Sequence, residues 1–334
     1  MFTSHFAVSF RADIHIYDSQ FNKQSKSQFN KKSERKGHTG YVYGLIQLQD
    51  GRIASGSSDR TIRIWNLDGT SIEWKGHNGS VTCLFQLKDG RIASGSWDDT
   101  IRIWKRADAS GDEDGTSIEW KGHNGSVNCL IQLQDGRIAS GSYDGIRIWK
   151  GADASGDEDG SSIEWKGHSD SVNCLIQLQD GRIASGSRDK NIRIWNLDGR
   201  SIEWKGHTGS IYCLIQLQDG RIASGSWGGA IRIWKRADAS GDEDGTSIEW
   251  KGHTRSVWCL LQLQDGRIAS GSWDGAIHIW NLDGSSTVVC NGHHIIPIYT
   301  KEDLQQGRRL LYELLAHYVV EDVKSIVYEY IKPL

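Results

Sequence analysis

"GRIASGSWDDTIRIW", residues 90–104, returns almost letter for letter at five other places in the 334-residue chain. One position in it changes while its neighbours hold: directly after the second Ser stand Ser58, Trp97, Tyr143, Arg188, Trp227 and Trp273. The constant letters set the fold. "RIASGS" reads as a strand and "WDDT" as a turn, and "IRIW" alternates with the period of two that marks a further strand, Ile inward and Arg outward. Upstream, "SVTCLFQL" (80–87) is apolar and β-branched enough for a buried strand, and "KDG" turns the chain, with Gly90 free to take a positive φ. Downstream, past a variable loop, "SIEW" supplies a fourth strand. The unit is an antiparallel four-stranded meander.

The unit repeats. Gly-His pairs begin at Gly37, Gly76, Gly122, Gly167, Gly206, Gly252 and Gly292, in steps of 39, 46, 45, 39, 46 and 40 residues, so six complete units span about residues 37–291. Both prolines lie after residue 296, and no ladder of these units loses a donor to one. Tandem four-stranded sheets of this length arrange radially into an all-β propeller.

Gly-His followed, 24 to 28 residues on, by a strand ending in Trp resembles the WD-repeat family over roughly residues 1–298. One departure is plain: the family's Trp-Asp pair is Trp65-Asn66 or Trp104-Lys105 here. The resemblance implies a structural hydrogen-bond tetrad in each unit. Carried over by position, the sets are His38, Ser55, Asp59 and Trp65; His77, Ser94, Asp98 and Trp104; and His123, Ser140, Asp144 and Trp149. His168, Ser185, Asp189 and Trp195 follow, then His253, Ser270, Asp274 and Trp280 in the sixth unit. The fifth has His207, Ser224 and Trp234 but Gly228 in place of the Asp, which predicts an incomplete network and a softer blade. A His-Ser-Asp set also has the residue types of a nucleophilic triad. Five copies, each ending on a core Trp, are better explained as satisfaction of buried polar groups, and the chain is read as not an enzyme.

The two ends carry partial units. "HHIIPIYT" (293–300) has the character of a first strand, while "FAVSF" (6–10) and "IHIYD" (14–18) have that of second and third strands, Tyr17 standing where Trp belongs. A fourth strand must come from "KSQFNKKS", a poor β sequence. Joining these ends gives a seven-bladed propeller, six full repeats plus one shared blade, and removes two open sheet edges. Six blades with an appended flap is the alternative. This assigns 1–300 to the propeller and 301–334 to a short helical extension, because Leu311, Leu314, Leu315 and Tyr318, then Val323, Ile326, Val327, Tyr330 and Ile331, fall at helical spacing. "VEDVKSIVYEYIKPL" faintly resembles the start of an F-box, though without its Leu-Pro opening.

Composition narrows the function. A formal charge of −3 gives no basic face for nucleic acid, and no apolar run approaches the ~18 residues of a membrane span. The start lacks the features of a signal peptide. Cys83, Cys129, Cys174, Cys213 and Cys259 recur at one position of the repeat, too far apart for disulfides, and read as buried thiols of a reducing compartment. Together these point to the cytoplasm, with the nucleus open as well, and call for no cofactor or metal. The "ADASGDEDG" loops, with Asp112, Glu113 and Asp114, Asp157, Glu158 and Asp159, and Asp242, Glu243 and Asp244, are read as solvated acidic hairpins rather than calcium loops. Arg52, Arg91, Arg137, Arg182, Arg221 and Arg267 are expected to pair with nearby carboxylates, a basic anion-binding ring being the other reading.

Strand direction alternates in a meander, so the turn carrying Trp97 shares one end of the ring with the Gly-His loop and the start of strand one. Strand one has its own variable slot there: Tyr43, Thr82, Asn128, Asn173, Tyr212 and Trp258. The two slots predict concentric rings with seven aromatics among twelve positions. Unconstrained drift on a solvated turn favours small polar and charged residues instead. Exposed aromatics on one face mark interaction sites, and Trp, Tyr and Arg dominate binding energy. The expectation is a non-enzymatic scaffold or recognition module, a monomeric propeller within a larger complex. It binds a protein or peptide on this top face through Tyr43, Trp97, Tyr143, Arg188, Tyr212, Trp227, Trp258 and Trp273. The alternative is a substrate receptor that recruits a ubiquitin-ligase core through the C-terminal helices.

Overall fold

The computed structural model describes residues 4–10, 13–20, 28–66, 68, 70–105, 115–150, 160–235, 245–263, 266–291 and 296–298, with side chains described from residue 36 to 288. The C-terminal helical reading and the three acidic loops lie outside the described residues. So does Asp265, the residue two before Arg267.

Six four-stranded antiparallel sheets follow one another along the chain, each in simple sequential order. The second is representative: Val81–Gln86, Ile92–Ser96, Ile101–Trp104 and Ser117–Trp120. Its register pairs Cys83 with Gly95, Ser94 with Arg102 and Ile103 with Ile118. First strands of neighbouring sheets run side by side, Val42–Gln47 by Val81–Gln86 and onward to Ile211–Gln216 by Val257–Gln262, so the first strands are the inner ones. The chain's two ends meet in a further sheet: Ile296–Ile298, Ser4–Phe10, Asp13–Gln20 and Gln28–Arg35, in that order. The stretch judged a poor β sequence is therefore paired, over Gln28–Arg35.

The core lies between sheets rather than within one. Cys83, Phe85, Ala93, Ile101, Ile103 and Trp120 of the second sheet pack against Val127, Leu130, Ile138 and Trp149 of the third. On the opposite face Leu84, Ile92 and Trp104 pack against the first sheet. Both faces of the second to fifth sheets are thus covered, and each fully buried Ile contributes about 1.5–3 kcal/mol relative to an exposed one. Every fourth-strand Trp stacks on a third-strand Trp of the next sheet: Trp74 on Trp104 at 5.5 Å, Trp120 on Trp149 at 5.6 Å, and likewise through Trp250 on Trp280 at 5.7 Å. Such contacts leave no room for a side chain at Gly95, where a Cβ would stand 2.6 Å from Val127.

This double covering corrects the outward reading of the strand-three Arg. Arg102 is enclosed, its side chain 15% exposed, and its guanidinium pairs with Glu119 on the adjacent strand. A period of two tells which residues share a face, not whether water lies beyond it. The strand-two arginines do pair with carboxylates, two residues back in the turn: Arg52 with Asp50 at 2.7 Å, Arg91 with Asp89 at 2.7 Å and Arg137 with Asp135 at 2.8 Å. These pairs are exposed and each contributes at most about 1 kcal/mol. Cys83, Cys129, Cys174, Cys213 and Cys259 are buried thiols outside any disulfide, and burial pushes the Cys83 thiol up to about 12.

A second belt joins the sheets at the end of strand one. Gln132 accepts the backbone N–H of Lys88 in the preceding sheet at 2.9 Å and donates to the carbonyl of its own Gly136 at 3.2 Å. The same bridge is made by Gln86, Gln177, Gln216 and Gln262. Gln132→Ala is expected to cost about 1–2 kcal/mol. Gln132→Glu, which keeps the acceptor, should cost about half as much, both read from urea unfolding midpoints.

Candidate functional site

The tetrad begins with a group that can only donate. Trp104 Nε1–H gives its hydrogen to Ser94 Oγ at 2.7 Å, and the same oxygen lies 2.7 Å from His77 Nε2. Asp98, which can only accept, stands 2.9 Å from Nδ1 and so draws the imidazole hydrogen there, leaving the Ser hydroxyl to donate to Nε2. The Trp–Ser bond is 2.7 Å in all six units. The Ser–His bond is 2.6–2.7 Å in all six. His–Asp distances run from 2.5 to 3.0 Å in units one, two, three, four and six. Each Asp also accepts the backbone N–H of the residue after the His, as from Asn78 to Asp98 at 2.7 Å. Ser94 is fully buried with its hydrogen committed, so no substrate carbonyl can reach it.

Electrostatics follow this wiring. Burial pushes each Asp upward, but hydrogen bonds and charge from the His, with help from backbone amides, outweigh it. Asp59, Asp98 and Asp189 are held below the ordinary carboxylate range, and Asp144 falls to about 2. In unit five Gly228 offers no carboxylate, and His207 Nδ1 is buried without a partner. Burial, with Arg232 adding to it, lowers His207 to about 3, so this ring is neutral near pH 7.

The strand-two slots sit at the rim that carries the Gly-His loops. Their backbone N–H groups donate to the residue just before strand one: Trp97 to Ser80 at 3.0 Å, Arg188 to Ser171 at 2.9 Å, Trp227 to Ser210 at 2.8 Å and Trp273 to Ser256 at 2.9 Å. Trp97, Tyr143 and Trp227 are 44%, 64% and 64% exposed, Arg188 is exposed, and Ser58 and Trp273 are half-buried.

The strand-one slots reach the same rim but are not the exposed ring expected of them. Tyr43 and Trp258 are each only 8% exposed. Tyr43 lies against Trp97 of the next sheet, ring centroids 5.7 Å apart. Tyr212, Trp258 and Trp273 form one cluster, with centroids 3.8 Å and 5.8 Å apart in succession. Thr82, Asn128 and Asn173 are structural: each donates to a carbonyl of the next sheet, Val127, Val172 and Ile211 respectively, at 2.5, 3.2 and 2.8 Å. The inner slot is therefore divided into inter-sheet clasps in units two to four and aromatics in units one, five and six.

Sequence reasoning missed Tyr41, 39% exposed at this rim, although its signal is plain: the other five units have Ser there. Every exposed Tyr or Trp among the described residues lies here, whereas the exposed aliphatics Ile163, Ile248 and Val288 belong to fourth strands. Among the described residues no His, Cys, Asp or Glu side chains gather into a metal-holding group, and no helix is long and apolar enough to cross a membrane.

A family model described as WD domain, G-beta repeat matches residues 29–66, 70–105, 115–150, 154–196, 200–235 and 245–281. A similar solved structure is the crystal structure of the WD40 β-propeller domain of Doa1, with 24% identity and a TM-score of 0.65 over 84% of this chain and 89% of that one. That likeness concerns the fold. No curated protein matches the chain.

The Asp carboxylates generate a pH prediction. A carboxyl whose folded value is depressed stabilises the fold fully above its unfolded value, near pH 4, and that contribution is lost as pH falls through the folded value. Asp144→Asn is expected to cost about 1.5–3 kcal/mol at pH 7. It should also shrink the loss of stability between pH 4 and 2, read as melting temperature against pH.

Proposed function

The chain belongs to the WD40 repeat family, whose propellers generally serve as scaffolds for protein interaction, and from that premise we propose that its Gly-His rim is a binding face for a protein or peptide segment. One observation carries the reading: Tyr41, Trp97, Tyr143 and Trp227, the exposed aromatics among the described residues, all stand on this rim. Rings held on short rigid turns lose little entropy on binding and supply large apolar contact. The cluster of Tyr212, Trp258 and Trp273 extends the surface inward.

The rim is uneven. Aromatic inner slots occupy units five, six and one, and polar clasps fill units two to four, so the apolar part of a partner belongs over the former arc. Arg188 and Tyr143 offer a hydrogen-bonding arc opposite. We also read the sheet built from both chain ends as a seventh blade that closes the ring, since Ser4–Phe10 and Ile296–Ile298 run beside Val42–Gln47. In this reading the molecule is a non-catalytic propeller acting as one component of a larger complex.

Trp97→Ala combined with Trp227→Ala is expected to weaken partner capture at least tenfold while the melting temperature moves by less than about 2 °C. The measurement is photo-crosslinking from benzoylphenylalanine placed at position 143 in the native complex, compared with the same probe at position 135 in the opposite turn. Partner crosslinks from 143 that vanish in the double variant support the proposal. Crosslinks from 135 alone, or capture unchanged by the double substitution, contradict it.

A further inference from the structure

Five units of this chain hold a carboxylate at one place in the tetrad, and unit five holds the same place open. In unit six Asp274 accepts from His253 Nδ1 at 3.0 Å, from the Thr254 amide at 2.8 Å and from the Ala276 amide at 2.9 Å. The corresponding groups of unit five are His207 Nδ1, the Thr208 amide and the Ala230 amide, and Gly228 stands in place of the Asp. His207 is 7% exposed with Nδ1 unpartnered. Around these donors lies a cavity of about 410 Å³, bordered by His207, Thr208, Gly228, Ala230 and Arg232. A Cβ placed at Gly228 would meet nothing closer than Thr208 Oγ1 at 3.9 Å.

We propose that this cavity is a carboxylate-binding site, in which a ligand carboxylate takes the three donors that an Asp takes in units one, two, four and six. The chemistry follows from the wiring. Trp234 donates to Ser224 at 2.7 Å and Ser224 Oγ lies 2.6 Å from His207 Nε2, so a carboxylate, which can only accept, selects the tautomer with the ring hydrogen on Nδ1 and Ser224 donating to Nε2. Glu249 at the border is already engaged by Arg232 and by Lys251 at 3.0 Å. Unit two has the same trio, Arg102, Glu119 and Lys121, and accommodates Asp98 beside it, so the local charge tolerates a second carboxylate. The ligand is a carboxylate on a short aliphatic stem, either a free small acid or an Asp or Glu side chain presented by a peptide. The site stands independently of whether the aromatic rim binds a protein.

The test is titration of the full chain at pH 7 and constant ionic strength with sodium acetate and, separately, with acetyl-Gly-Gly-Asp-Gly-Gly-amide, read by calorimetry and by melting temperature. The expected result is a saturable rise of about 2 °C with measurable heat. Gly228→Asp, whose own carboxylate fills the site, should melt higher without ligand and respond to neither probe. His207→Gln should lose the calorimetric response as well. A response to acetate alone assigns the site to free acids, and one to the peptide at lower concentration assigns it to a presented side chain. No response to either, or a response that survives in Gly228→Asp, overturns the proposal.

Discussion

No sheet in this molecule can bury its two apolar faces by itself. Leu84, Ile92 and Trp104 need the first sheet, and Ile101, Ile103 and Trp120 need the third. The fold is therefore a chain of obligatory neighbours, in which each interface repeats the last because the sequence repeats. Trp stacking on the outer side, Gln bridges at one end of the inner strands and Thr or Asn clasps at the other hold these interfaces in register. The tetrads join the same system, since the tetrad Trp of each of units two to six is also the surface on which the preceding sheet's fourth-strand Trp rests.

That dependence explains where variation is tolerated. A residue between sheets is seen by two blades, so Ile, Ala and Gly recur without change at those positions. A residue on the turn after strand two meets a neighbouring blade only at the rim, as Trp97 meets Tyr43, and its backbone is already tied to the loop before strand one. The rim can therefore carry Ser, Arg, Tyr or Trp at little structural cost, and uneven side chains on an even frame are what a recognition surface requires. At Gly228 variation entered a buried tetrad. The frame tolerates it because Trp234, Ser224 and His207 remain bonded to one another.

Strand order, turn positions and the residues of each tetrad were legible because four residue types recur at fixed spacing, and the open end of the rim followed from counting chain reversals. The inner slot was less legible. Thr82 and Trp258 occupy one position, yet what covers them depends on how near the next sheet comes, which no single-strand pattern encodes. Arg102 was misread for the same reason, its face being walled by a neighbour instead of water. Gln132 repeats in every unit, but its partner is a backbone amide about 44 residues away, and side-chain patterns carry no signal for that.

Hydrogen exchange of the full chain, free and within its native complex, bears most directly on the rim as the face of recognition. The account predicts slowed exchange at residues 38–43, 97–99, 143–145 and 227–230, with the turns around Asp50, Asp89 and Asp135 unchanged. Protection confined to those turns, with the rim exchanging as in the free chain, would contradict it.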